Sequence, residues 1–135
     1  MVAWAVKPEF LSPSVLITDD NDSWRLALEE ILRGLGLHTF QSACGEEAIE
    51  LVHTVHLDLV LIDFQMPRLN GIETLRIIRG QGEQVPAVMM TASPGDLPVA
   101  EVRALQVEGV LAKPTDRRCI VTTVTRIVRR RDADY

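Results

Sequence analysis

The stretch Leu59-Val60-Leu61-Ile62-Asp63-Phe64-Gln65-Met66-Pro67 decides how the rest of the chain is read. Four apolar residues in a row cannot alternate between a core face and a wet face, so they mark a strand covered on both sides. The run stops at a carboxylate, and Met66-Pro67 turns the chain before Gly71 opens a segment of helical period. Such strands belong in parallel sheets with helices above and below, where ligands bind outside the carboxyl ends of the strands. Asp63 stands at one of those ends.

On either side of it, short apolar runs alternate with segments of helical period, and there is no internal repeat. Strands are predicted at 15–18, about 38–42, 57–63, 87–91 and around 110–112. The first helix opens at Ser23, carries Trp24, Leu28, Ile31, Leu32 and Leu35 on one face, and is stopped by Gly34 and Gly36. The second spans about 45–54 with Ala48, Ile49 and Val52 inward, and the third about 71–79. Pro94, Gly95 and Pro98 shorten the fourth to about 98–106, and the last runs from about 116 to 131. The fold class is therefore α/β, a doubly wound five-stranded parallel sheet flanked by five helices. An N-terminal arm over 1–14, one domain over 15–131 and a short tail over 132–135 complete the expected layout.

Composition narrows the function. A net charge of −5 over 135 residues argues against nucleic-acid binding, which needs many cations on one face. The basic run of Arg126 and Arg129 to Arg131 reads as the solvated end of a helix, where cations suit the macrodipole. Cys44 and Cys119 lie far apart, with no neighbouring ligands at metal spacing, so neither a disulfide framework nor a zinc site is indicated and a cytoplasmic location is expected. The apolar start at 1–6 ends at Lys7, too short for a signal-peptide core, and no stretch approaches a membrane span.

Four of the five strands end in a useful polar side chain: Asp19-Asp20, Asp63, Thr91 and Lys113. An Asp after a strand is ordinarily a turn former or helix cap, so the weight rests on the set. Two carboxylates ~4 Å apart repel by about 4 kcal/mol at an effective dielectric of 20. Three together need a shared proton or a hard divalent cation with oxygen ligands, and Lys113 supplies only one charge. Mg²⁺ together with a phosphoryl group accounts for the acids, the lysine and the hydroxyl at once.

Asp19-Asp20, Asp63 with Met66-Pro67 and Gly71, Thr91-Ala92 and Lys113-Pro114 stand in an order and spacing that resemble the receiver domain of two-component response regulators, over nearly the whole chain. The resemblance implies a flavodoxin-like sheet of order 2-1-3-4-5. It implies that Asp63 accepts a phosphoryl group, that Asp20 is a direct Mg²⁺ ligand, that Asp19 acts largely through water, and that Gln65 ligates through its backbone carbonyl. Thr91 would hydrogen-bond a phosphoryl oxygen, and Lys113 would pair with the Asp63 carboxylate and then with phosphate. The bond before Pro114 is expected to be cis. Such a domain is a signalling switch that helps catalyse its own phosphorylation and slow dephosphorylation. Its expected donors are a sensor histidine kinase or a histidine phosphotransfer protein. A downstream protein or an output domain outside this chain receives the signal, and a second copy of the chain is a further candidate partner.

Two features depart from the family pattern. Val110 stands where a Tyr or Phe three residues before the strand-five lysine usually relays the signal, and helix four is short. Gln65 and Ser93 occupy positions that in the family flank the phosphate and tune its hydrolysis, although Gln65 equally suits a solvated loop. Trp24 fits either a core edge or an exposed anchor for a partner helix. Two competing readings are a haloacid-dehalogenase-type phosphatase, which needs a second Asp where this chain has Gln65, and a receiver-like interaction module that never takes phosphate.

Overall fold

The computed structural model describes residues 12–133, so positions 1–11 of the expected arm and 134–135 of the expected tail lie outside the described residues. Five strands, β1 (Ser14–Thr18), β2 (His38–Ser42), β3 (Leu59–Asp63), β4 (Ala87–Thr91) and β5 (Gly109–Ala112), form one parallel sheet in the order β2-β1-β3-β4-β5. The helices are α1 (Asp22–Gly34), α2 (Gly45–Thr54), α3 (Gly71–Gly80), α4 (Val99–Ala104) and α5 (Arg117–Ala133), with a 3-10 turn at Pro94–Asp96. The doubly wound topology is the one expected. Among the described residues no helix is long and apolar enough to cross a membrane.

Strand side chains alternate between two cores. Leu16, Val60, Ile62, Ala87 and Met89 pack against α2 and α3 through Ala48, Val52, Ile72, Leu75 and Ile78, and against α4 and the residue after it through Val102 and Leu105. Val15, Ile17, Leu59, Leu61, Val88 and Met90 face α1 and α5 through Leu28, Leu32, Ile120, Val124 and Ile127. All five residues of β3 are buried, as a central strand with two dry faces requires. Register is fixed by these two faces, because a one-residue slip would exchange the two sets of side chains. Thr18 is thereby set beside Ile62, and Asp63 beside Met90, one residue before Thr91.

Several boundaries differ from expectation for local reasons. Helix α1 opens at Asp22 rather than Ser23, because the Asn21 side chain caps it by accepting the Trp24 N–H. Leu35 is exposed rather than inward, since it lies past the last helical residue, where Gly36 at φ +85° turns the chain away. The ladder of β3 begins at Leu59 and not at 57; Leu57 is nonetheless buried. Helix α4 is only Val99–Ala104, and Gln106 at φ 58° leads the chain out of it. The last helix begins after Asp116, whose carboxylate accepts the Cys119 N–H.

Gly71 is required by close packing. A Cβ there would lie 2.5 Å from the Asp63 carbonyl oxygen and 2.9 Å from Met89 Sδ, so only glycine lets α3 start hard against the end of β3. Its N–H donates to the Phe64 carbonyl, and Asn70 and Glu73 form a capping box above it.

Candidate active site at the strand ends

The carboxyl ends of β1, β3, β4 and β5 bring the expected side chains to one edge of the sheet. Asp19 and Asp63 are buried and Asp20 is exposed, and each offers an oxygen lying within 4.8 Å of the others. Lys113 reaches in from the end of β5, its Nζ 2.7 Å from Asp19 Oδ2 and 3.4 Å from Asp63 Oδ1. The ammonium therefore sits closer to Asp19 than to Asp63. The Lys113–Pro114 bond is cis. Thr91 is buried at the end of β4, where its Oγ1 accepts the Ser93 N–H and its carbonyl accepts the Lys113 N–H.

Each acid is held differently. Asp19 Oδ1 accepts the Asn21 N–H at 2.9 Å, and the Asp19 N–H donates to the Ser42 carbonyl, so its carboxylate and its backbone are both held. Burial pushes the Asp63 carboxyl up to about 6, and the neighbouring Asp19 charge adds to the rise. Lys113 and the Gln65 backbone N–H oppose it without cancelling it. Gln65 itself is exposed, and Met66 packs into the core beneath the loop.

Sequence reasoning missed Arg25. Its guanidinium donates to the Asp19 carbonyl at 2.7 Å, to Gln41 Oε1 at 2.9 Å and to Asp22 Oδ1 at 2.7 Å, so one side chain ties the β1–α1 loop to β2. An arginine one turn into the helix that follows an Asp-Asp pair was the available signal. Trp24, left open between core and surface, is half-buried beside the site.

The donor set fits Mg²⁺. All three candidate side-chain ligands are carboxylates, the choice of a hard cation, and no soft or imidazole ligand joins them. The oxygens of the three acids lie within 4.8 Å of one another, close enough for one hard cation to be shared among them directly or through water. Three acids facing one lysine leave an excess of negative charge that a divalent cation would neutralise.

Comparison with known proteins gives a consistent result. The family model described as response regulator receiver domain matches residues 15–125. The chain is 36% identical over 104 residues to autoinducer 1 sensor kinase/phosphatase LuxN of Vibrio harveyi, covering 77% of this chain and 12% of that protein. It is 34% identical over 116 residues to the transcriptional regulatory protein CpxR of Escherichia coli K12, covering 86% of this chain and 49% of that protein. The chain thus spans half or less of these curated relatives. Among solved structures, chemotaxis protein CheY4 of Vibrio cholerae superposes with a TM-score of 0.80 at 26% identity, covering 86% of this chain and 98% of that one.

Proposed function

The chain belongs to the response regulator receiver domains of two-component systems, and from that premise we propose that residues 15–131 form a unit that takes a phosphoryl group onto Asp63 in a Mg²⁺-dependent reaction. The observation that carries this reading is the meeting of Asp19, Asp20 and Asp63 with Lys113 at one sheet edge. The donor is a phosphohistidine on a sensor kinase or a phosphotransfer protein. An Asp63 carboxylate oxygen attacks phosphorus, the P–N bond breaks, and the leaving imidazole takes up a proton.

Asp20 and Asp63 would ligate Mg²⁺ directly, with the Gln65 carbonyl, and Asp19 through water. When bound there, Mg²⁺ supplies positive charge against the incoming phosphoryl oxygens. Lys113 exchanges its carboxylate contact for an equatorial phosphoryl oxygen, and Thr91 donates its hydroxyl to another. The Arg25 bracket keeps the Asp19-Asp20 backbone in place meanwhile. Gln65 offers no acid to protonate a leaving alcohol, which favours a switch over a phosphatase. The signal passes to a partner protein or to an output domain elsewhere, and the cytoplasm is the compartment proposed.

Acetyl phosphate with Mg²⁺ is expected to label Asp63 alone, as an acyl phosphate labile to hydroxylamine. Mass mapping of the labelled protein and of Asp63→Asn tests this. Phosphate on Thr91, Ser93 or a histidine with Asp63 unmodified would overturn the scheme, and Mg²⁺-independent absence of any label would favour the interaction module.

A further inference from the structure

Trp24 touches the site without being any of its expected members. It projects from the first turn of α1, and its Nε1–H points at Met90 Sδ at 3.4 Å. Met90 is fully buried and stands beside Asp63 in the sheet, so the indole is anchored to the strand that carries Thr91. The Lys113 Nζ lies 5.6 Å from the centroid of the indole. That ammonium is largely buried, with two carboxylates taking it at 2.7 and 3.4 Å. The same ammonium thus lies within reach of the indole and of both carboxylates.

We infer that Trp24 is a positioning residue for Lys113, its anchored indole face holding the ammonium over the carboxylates through a cation–π contact; this rests on Asp63 being the phosphoacceptor. The physical reason lies in the exchange Lys113 has to make. Its ammonium must leave a carboxylate for a phosphoryl oxygen, and a partner that offers no lone pair holds it near both without competing for its N–H bonds. An indole is the best ring for that purpose, and its hold strengthens where water is excluded. A four-carbon lysine stem is flexible, so without the ring the ammonium samples solvent and meets the phosphoryl group in the right place less often.

The test uses the full chain and acetyl phosphate. Trp24→Leu is expected to lower the rate of Asp63 labelling about five- to tenfold while leaving Mg²⁺ affinity within about twofold, and Trp24→Phe to retain much of the wild-type rate because it keeps a ring face. A merely structural role would weaken Mg²⁺ binding and labelling together. Contact itself is read separately by fluorescence in a Trp4→Phe background, which leaves Trp24 as the single indole. There Lys113→Met is expected to shift the emission of metal-free protein. Wild-type labelling with an unchanged Trp24→Leu rate, a Trp24→Leu loss matched by lost Mg²⁺ affinity, or an emission indifferent to Lys113→Met would each overturn the inference and leave the phosphoacceptor reading standing. Wild-type protein that takes no label while Trp24 still responds to Lys113→Met would instead overturn the phosphoacceptor reading and remove the role with it.

Discussion

Asp63 is costly to the fold when it is ionised. Its carboxyl is raised from 3.8 to about 6 by burial and by the Asp19 charge. For an acid whose folded pKa lies above its unfolded one, the native state binds more protons across that window, so stability falls as pH rises through it. Below pH 3.8 the penalty is absent, and above 6 it is complete, at about 3 kcal/mol for the full shift. Asp63→Asn removes the charge and keeps the shape. In metal-free urea unfolding at pH 7.5 it is expected to be more stable than wild type by about 2 kcal/mol, less than the full penalty because the buried amide has a desolvation cost of its own, with the difference fading near pH 4. A difference independent of pH would exclude this cause. Lys113 works in the opposite sense, because it pairs with Asp19 and Asp63 where a cation would bind. Lys113→Ala should therefore bind Mg²⁺ at least as tightly as wild type and yet lose activation by phosphorylation. Calorimetric titration that found Mg²⁺ binding abolished would contradict that role.

At the scale of elements, the segment from α4 to β5 departs from the rest. Val110 and Val99 are exposed, and α4 is six residues long. Two arginines of α3 hold it: Arg76 pairs with Glu101, and Arg79 donates to the Leu105 carbonyl at 3.0 Å. A β-branched valine has few rotamers and little surface to alternate between buried and exposed states, so it can contribute little to a two-state relay. Chemical shifts compared with and without Mg²⁺ and beryllofluoride, a phosphoryl mimic, are expected to change mostly around Thr91, Lys113 and the β4–α4 loop. Large changes centred on Val110, Arg103 and the outer face of α4 would show that the relay survives without its aromatic. This is also where the sequence was least legible. The central strands could be read from Val15 to Ile17 and Leu59 to Ile62 because two dry faces demand unbroken apolar runs. The ends of α4 depended on a left-handed Gln106 and on arginines from another helix, neither of which leaves a local pattern. Asp19, Asp20, Asp63, Thr91 and Lys113 stood out because each ends or directly follows a strand. Arg25 did not, because its meaning lies in a carbonyl and a glutamine that only the tertiary structure brings to it. The close approach of Gly71 to the Asp63 carbonyl could not be read either, because it depends on the packing of α3 against β3.

Taken as a whole molecule, the fold separates its stabilising cores from the proposed site at one end of the same strands. The two cores lie along the sheet on either face and supply the hydrophobic stabilisation, whereas Asp19, Asp20 and Asp63 gather at the carboxyl edge as mutually repelling charges. The register sets Thr18 beside Ile62 and Asp63 beside Met90, so Asp19 and Asp63 come off neighbouring strands at the same edge, with Asp20 next to them. The native protein thus holds a strained set of charges that the unfolded chain disperses. A divalent cation that binds only the folded edge must then stabilise the entire molecule by mass action, by about 2.7 kcal/mol at one hundred times its Kd. For a domain of this size, each kcal/mol corresponds to roughly 3–5 °C in Tm. Saturating Mg²⁺ is therefore expected to raise the wild-type midpoint by about 10 °C, and the rise should vanish in an Asp20→Asn, Asp63→Asn double variant whose metal-free midpoint is itself above that of wild type. Thermal unfolding of both proteins with and without Mg²⁺ checks this, with Na⁺ at matched ionic strength separating site binding from screening. Equal Mg²⁺ shifts in the two proteins would place the cation somewhere other than this edge.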